Sequence, residues 1–304
     1  MVAFNPLRKI GARYLDAQFI RGLRWQNPWS RTLYVSRTHE RASDHQSRTG
    51  LDPEHPLSTF KHALTLARDG DTIIIAPGHT ESIGAATTID QDNLVVIGHG
   101  NRQQRPRITF GTVTTANLNV TGNGVMFDNI GLKSGIDSLA NMLTVNGLDF
   151  VWNDGAVDDD ASTQTIDAII VNRARCTISG LRATQTTAGA TSCISVNAAA
   201  GFVLRACKLF GDYSAAAVNF ITAASVDVQL EHSTMENLNA VDCCVAFSDH
   251  AHSGWCEYLS LHIATDAQTT WITYAGTGPL IRVTECYGTN VKQESGKFVG
   301  TVSV

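Results

Sequence analysis

The sequence predicts an all-β fold, a single-stranded parallel β-helix built as a solenoid of about 25-residue coils. Three observations carry this. Short apolar alternations begin at Leu94 (LVVIG), Leu118 (LNVTG), Leu143 (LTVNG), Ile169 (IIVNR), Ile194 (ISVNA), Val218 (VNFIT), Val245 (VAFSD) and Ile272 (ITYAG), separated by 24, 25, 26, 25, 24, 27 and 27 residues. A near-constant period in the twenties marks a repeat architecture. Most intervals hold two further apolar segments, such as Phe150–Trp152 or Phe202–Leu204 followed by Cys207–Leu209, so each coil has three short strands. Composition agrees: 43% hydrophobic, 17% charged and 25 Gly suit stacked β-structure with tight corners. The leucine-rich alternative would need a repeated L-x-x-L-x-L-x-x-N, which is absent.

Residues 1–34 differ from the rest and read as a basic N-terminal arm or helix. Asn5-Pro6 supplies an N-cap and first helical position, and Leu7, Ile10, Tyr14, Ala17 and Ile20 recur at helical spacing. Arg8, Lys9, Arg13, Arg21, Arg24 and Arg31 against Asp16 give +5, so the remainder of a chain with net charge −5 carries −10. With Trp25 and Trp29 at its end, this segment is the expected docking element, toward another protein surface or a neighbouring subunit. The bland reading is a helix that covers one end of the solenoid.

Residues 35–93 read as an N-terminal cap. A strand over Thr32–Val35 precedes a polar loop from Ser36 to Thr49 and a turn cluster, Gly50-Leu51-Asp52-Pro53-Glu54-His55-Pro56. Ser58 is the expected N-cap of a helix over Thr59–Arg68, with Phe60, Ala63, Leu64 and Ala67 on one face. Gly70-Asp71 ends it, and Thr72–Ala76 is the next strand. A helix just before the coils suits the exposed end of a solenoid, which must be covered.

Residues 94–304 are the coils, about 40 Å long at the strand spacing of ~4.8 Å. Asn146, Asn172 and Asn197 fall at one place in three consecutive coils. Stacked asparagines bond along a solenoid axis, so these are expected to form a structural ladder. The seven cysteines offer no stacked neighbours: Cys193 and Cys244 lie two coils apart, Cys207 and Cys286 three. Reduced, buried thiols and folding in a reducing cytosol are expected.

The cap residues carry a resemblance. An LYVS strand, a G-L-D-P-x-x-P turn, a helix with F-x-x-A-L and then G-D-T-I-x-x-x-P-G-H are similar to the N-terminal cap of right-handed, pectate-lyase-like parallel β-helix proteins, above all those of tailed bacteriophages. The motif covers residues 32 to 83; residues 94 to 289 agree by period only. The resemblance implies the fold, which hosts lyases, hydrolases, adhesins and inert virion parts alike. Taken with the uncharged outer positions, the reduced cysteines, the missing export signal and the basic arm, it points to a non-enzymatic virion protein assembled in the host cytoplasm, and since β-helix virion proteins are commonly trimers, to a homotrimeric capsid decoration protein. Its arm would dock on the major capsid protein or another virion protein.

Other functions are weighed by residue type. A net charge of −5 gives no case for nucleic-acid binding, and no apolar run reaches the roughly 20 residues of a membrane span. The N-terminus lacks the apolar segment and small-residue cleavage site of Sec export. A saccharide-cleaving enzyme, the tailspike-type depolymerase that is the alternative, needs paired carboxylates and aromatic platforms. The acidic run of Asp154 with Asp158, Asp159 and Asp160 reads as a solvated corner before it reads as a calcium site. Asp249, His250 and His252 suggest an ion site but lack a third ligand at a set spacing. His79 and Glu81 read as part of the corner that enters the first coil. No catalytic residue, metal or cofactor is therefore assigned. The outward positions Val95, Asn119, Thr144, Ile170, Ser195, Asn219, Ala246 and Thr273 carry no charge, which fits a protein-contacting face. Trp152, Trp255 and Trp271 are the aromatics open to a saccharide role, with Trp152 expected to point inward.

Overall fold

The computed structural model describes residues 30–159, 162–239, 243–248, 250–263, 272–275, 281–289 and 298–299. They form a parallel β-helix with three strand-bearing faces. Sheet one stacks Thr32–Val35, Thr72–Ile75, Val95–Gly98, Met126–Asp128, Val151–Asn153, Thr177–Ser179, Val203–Arg205, Val228–Glu231, Gly254–Glu257 and Ile281–Thr284, ending at Phe298–Val299. Sheet two runs from Thr80–Ile83 through Arg107–Phe110, Gly131–Ser134 and Ala156–Asp158 to Thr234–Asn237, Ser260–Ile263 and Tyr287–Thr289. Sheet three begins at Thr87–Ile89 and includes Leu118–Val120, Leu143–Val145, Asp167–Val171, Cys243–Phe247 and Ile272–Tyr274. Two long strands, Arg182–Val196 and Lys208–Phe220, run through the corner between sheets two and three and make them continuous in mid-solenoid.

Every pairing is parallel, and each strand sits one coil above its partner, so equivalent side chains stack in columns. Leu33, Ile73, Val96, Phe127, Trp152, Ile178, Leu204, Leu230, Cys256 and Val283 form one inward column on sheet one. Its members are at most 1% exposed. Only the inner face of each sheet is covered, so the strands alternate buried with half-exposed residues instead of reading apolar throughout.

The corners have their own sequence logic. After each of the seven sheet-one strands from Met126–Asp128 to Ile281–Thr284 one residue takes a left-handed conformation: Asn129, Asp154, Gly180, Ala206, His232, Tyr258 and Glu285, with φ between 44° and 69°. Before the six strands from Val95–Gly98 to Val228–Glu231 another does so: Asn93, Gly124, Asp149, Arg175, Gly201 and Asp227. Asn, Asp and Gly adopt this region most readily. Ala206 and Tyr258 are held there by bonds from their N–H groups to the Glu231 and Thr284 carbonyls of the next coil, at a cost of about 1 kcal/mol or more each. The two bends per coil set the period.

Three expectations shift. The segment at Leu94 lies on sheet one, whereas those from Leu118 to Ile272 lie on sheet three; the rung beside Leu118 is Thr87–Ile89. All faces share the same alternation, so a 24-residue gap between different faces mimicked the period. The stack also begins earlier than residue 94, because Thr32–Val35 pairs in register with Thr72–Ile75. Arg31 belongs with it: its backbone N–H and guanidinium bind Asp71, Nη2 to Oδ2 at 2.6 Å. Finally, the capping helix α1 spans Phe60–Leu66 and its N-cap is Thr59, whose Oγ1 accepts from the His62 N–H. The Ser58 N–H instead donates to Asp44. Phe60, Ala63 and Leu64 bury the helix face on the first coils.

Candidate functional site

The arm residues Arg8, Lys9, Arg13, Arg21, Arg24, Trp25 and Trp29 lie outside the described residues. The asparagines are placed. Asn146, Asn172 and Asn197 form a continuous amide ladder: Asn197 Nδ2 donates to Asn172 at 2.8 Å, Asn172 to Asn146 at 2.9 Å, and Asn146 to Asn119 at 2.8 Å. Thr222 closes it by donating to Asn197 Oδ1 at 2.6 Å. Each amide is donor and acceptor at once, so the ladder polarises along the axis. It runs beside the outer column of sheet three: Asn119, Thr144, Ile170, Ser195, Asn219, Ala246 and Thr273. That column is uncharged, and Asp167 flanks it, accepting from Ser195 Oγ at 2.7 Å. Burial raises the Asp167 pKa.

The other faces are not charge-free. Sheet two presents Arg107, Lys133, Asp158, Arg182, Lys208, Glu236 and His262 outward. Reading one strand per coil captured one face of three. The acidic run resolves into separate roles. Asp154 accepts from Arg105 Nη2 at 3.0 Å and Asp158 from Arg107 Nη2 at 2.9 Å, each pair bridging two coils. Arg105 also donates to Asn129 Oδ1 and the Gly155 carbonyl. Among the described residues Asp128, between these coils, forms no ion pair; burial and then the Asp154 charge push its pKa up to about 6, against the weaker pull of Arg105. Asp159 turns inward, accepting from Thr165 Oγ1 at 2.9 Å and Gln185 Nε2 at 3.0 Å. Asp160 lies outside the described residues.

His252 is fully buried against Phe220, Phe247 and Tyr274. Its Nδ1 accepts from the Ser225 N–H at 3.1 Å and its Nε2 faces Ser248 Oγ at 3.2 Å. Burial, with His250 nearby, lowers its pKa to about 4, so the ring stays neutral. Neither ring nitrogen offers a free lone pair to an ion; Asp249 is outside the described residues. Glu81 and His79 lock the cap: Glu81 accepts the Phe60 and Lys61 N–H groups at the start of α1, and His79 Nε2 lies 3.2 Å from it. The seven cysteines are buried free thiols, and burial pushes Cys207 and Cys244 up to about 12.

One outward constellation escaped the sequence reading, because the strand Gly254–Glu257 holds a single inward apolar residue, Cys256. On the outer face of sheet one, Arg205, Glu231, Glu257 and Thr284 form one column and Gln229, Trp255 and Arg282 the next. Glu231 and Glu257 are direct cross-strand partners, about 4.8 Å apart at the backbone. Trp255 Nε1 donates to Glu231 Oε1 at 3.2 Å. Gly254, Trp255, Glu257, Arg282 and Thr284 line a groove of about 300 Å³. Trp152, by contrast, is buried, and Trp271 lies outside the described residues. Among the described residues no three His, Cys, Asp or Glu side chains are placed to hold a metal ion, and no helix is long and apolar enough to cross a membrane.

No family model matches the sequence, and no curated protein does. Among solved structures the chain is similar to a rhamnogalacturonan lyase, with a TM-score of 0.55 and 10% identity over 90% of this chain and 87% of that one. That likeness bears on architecture alone: the chain has the pectate-lyase-like parallel β-helix fold.

Proposed function

We propose that the chain is a non-enzymatic structural protein of a tailed-phage virion, a homotrimer that decorates the capsid and docks through residues 1–29. The observation that supports it best is the outer column of sheet three. Seven consecutive rungs carry small or uncharged side chains, six of them half-exposed and Ser195 buried, beside a self-satisfied amide ladder. Such a face packs against a neighbouring copy without burying an unpaired charge, and closed symmetric assemblies are the usual state of homo-oligomers. The charges elsewhere reinforce the rod: Arg31–Asp71, Arg175–Asp149, Arg105–Asp154 and Arg107–Asp158 each join different coils. The cap resemblance supplies the virion setting.

The test combines oligomeric state with shell binding. The full chain is expected to sediment as a trimer and to bind purified capsids. Ile170→Glu with Asn219→Glu, which adds two charges to the column, should give a folded monomer; an unchanged trimer would remove the proposed interface. Deleting residues 1–29, and not 1–34, keeps Arg31 and the first strand. It should abolish capsid binding while leaving the trimer.

The second reading, a saccharide-binding or saccharide-cleaving spike, is favoured by one observation. Glu231 and Glu257 sit side by side on adjacent coils with Trp255 between Gln229 and Arg282.

A further inference from the structure

We propose that the sheet-one groove at Trp255 is a binding site for a saccharide chain, independent of the docking surfaces and used for recognition. The inference takes the saccharide class from the second reading above and needs no cleavage.

Where this strand meets the coil below, only glycine fits. Gly254 has φ 145°, a conformation that L side chains rarely adopt, and a Cβ there would collide with the backbone of Val228. The floor at that point is therefore bare main chain, with Trp255 rising beside it. Trp255 is only half-buried, although its column mate in an earlier coil is the smaller Val203. Its indole is fixed in orientation by the 3.2 Å bond to Glu231 on the neighbouring coil. A fixed aromatic face with an open side is a stacking platform for the apolar face of a pyranose ring.

The polar groups around it are available. Among the described residues the side chains of Glu257 and Arg282 make no hydrogen bond or ion pair, and both line the groove. A carboxylate is an acceptor only, so Glu257 calls for hydroxyl donors. Arg282 offers a fork of donors to ring or hydroxyl oxygens, or to a sugar carboxylate. Vicinal hydroxyls on a stacked ring satisfy both demands. At the corner next to Glu257, Tyr258 stacks on His232 with ring centroids 4.8 Å apart and stands exposed, extending the aromatic rim along the axis. A cavity of about 300 Å³ is at the small end of ligand sites, and it is open to solvent. That suits a chain held by one or two residues at a time.

The full chain should be tested on a glycan array holding neutral and acidic bacterial and plant polysaccharides, with Trp255→Ala and Glu257→Gln beside it. Both positions face outward, and thermal melts establish that each variant is folded. The wild type is expected to retain at least one polymer, with affinity about tenfold weaker in each variant, the size expected for one stacking or charge-assisted contact. No retained glycan, retention equal in all three proteins, or binding of a Lys-rich peptide in place of any glycan would overturn the proposal. Capsid binding and trimer formation by the same variants are expected to be unchanged, so failure of the groove and failure of the virion reading are separately visible.

Discussion

The Arg105 guanidinium reaches across two coils to the Asp154 carboxylate, Nη2 to Oδ1 at 3.0 Å. Arg105 is 8% exposed and spends its remaining donors on Asn129 and Gly155, so one side chain ties three successive coils together. Arg105→Ala leaves Asp154 facing Asp128 without a cation. The variant should lose about 2–3 kcal/mol in chemical denaturation, below the full value for a buried pair because Asp154 is partly solvated. Asp154→Asn should cost less, since it keeps an acceptor for Arg105.

The amide ladder predicts a graded series. Asn172 both donates to Asn146 and accepts from Asn197, whereas Asn119 only accepts. At about 1 kcal/mol per bond, Asn172→Ala should destabilise by about 2 kcal/mol and Asn119→Ala by about 1. Equal effects in urea denaturation would mean that the amides act singly and not as a chain.

Asp128 predicts a pH dependence. Its folded pKa, about 6, lies above the ordinary 3.8, so the folded state holds the proton more tightly than the unfolded one. The resulting stabilisation is complete below about pH 4 and is lost as pH rises through about 6, on the order of 2 kcal/mol. Asp159 and Asp167, also raised by burial, act with the same sign. Asp149, lowered by Arg175, acts only below that window. His252, lowered to about 4, and His99, also lowered by burial, act with the opposite sign, losing stability as pH falls below about 6.5, so the wild-type profile is a balance. The Asp128 part is isolated by comparison: Asp128→Asn should melt higher than the wild type at pH 7, and that advantage should shrink toward pH 5.

Glu81 predicts a local effect. It receives two N–H groups of α1, so Glu81→Ala leaves the buried Phe60 donor and the partly solvated Lys61 donor unpaired and should cost about 2 kcal/mol. Hydrogen exchange should speed up in residues 60–66 ahead of the sheet-three strands. Glu81→Gln keeps an acceptor and should lie between.

Much of the architecture was legible because β-helix coils repeat their physics. The period, the inward Leu, Val and Ile, the buried cysteines, the capping helix and the asparagine column all follow from one coil stacking on the next. What escaped was whatever depends on which face a strand occupies. Leu94 looked like Leu118 because alternation is the same on every sheet. Arg105 and Arg107 gave no local sign of meeting Asp154 and Asp158, since the partners are about 50 residues apart. The Trp255 strand was hidden by Gly254 and by an inward cysteine where its neighbours carry Leu230 and Val283. Counting forward from the left-handed corner residues, His232, Tyr258 and Glu285, would have found it.

The central claim is that the protein is a structural component of a virion, fixed to the capsid surface. Locating it in intact particles by electron microscopy tests this most directly. Density for a triangular rod, three to a cluster and fixed to the shell through its N-terminal end, is the predicted result. Particles that lack the protein, or carry it only at the tail tip, would contradict the account.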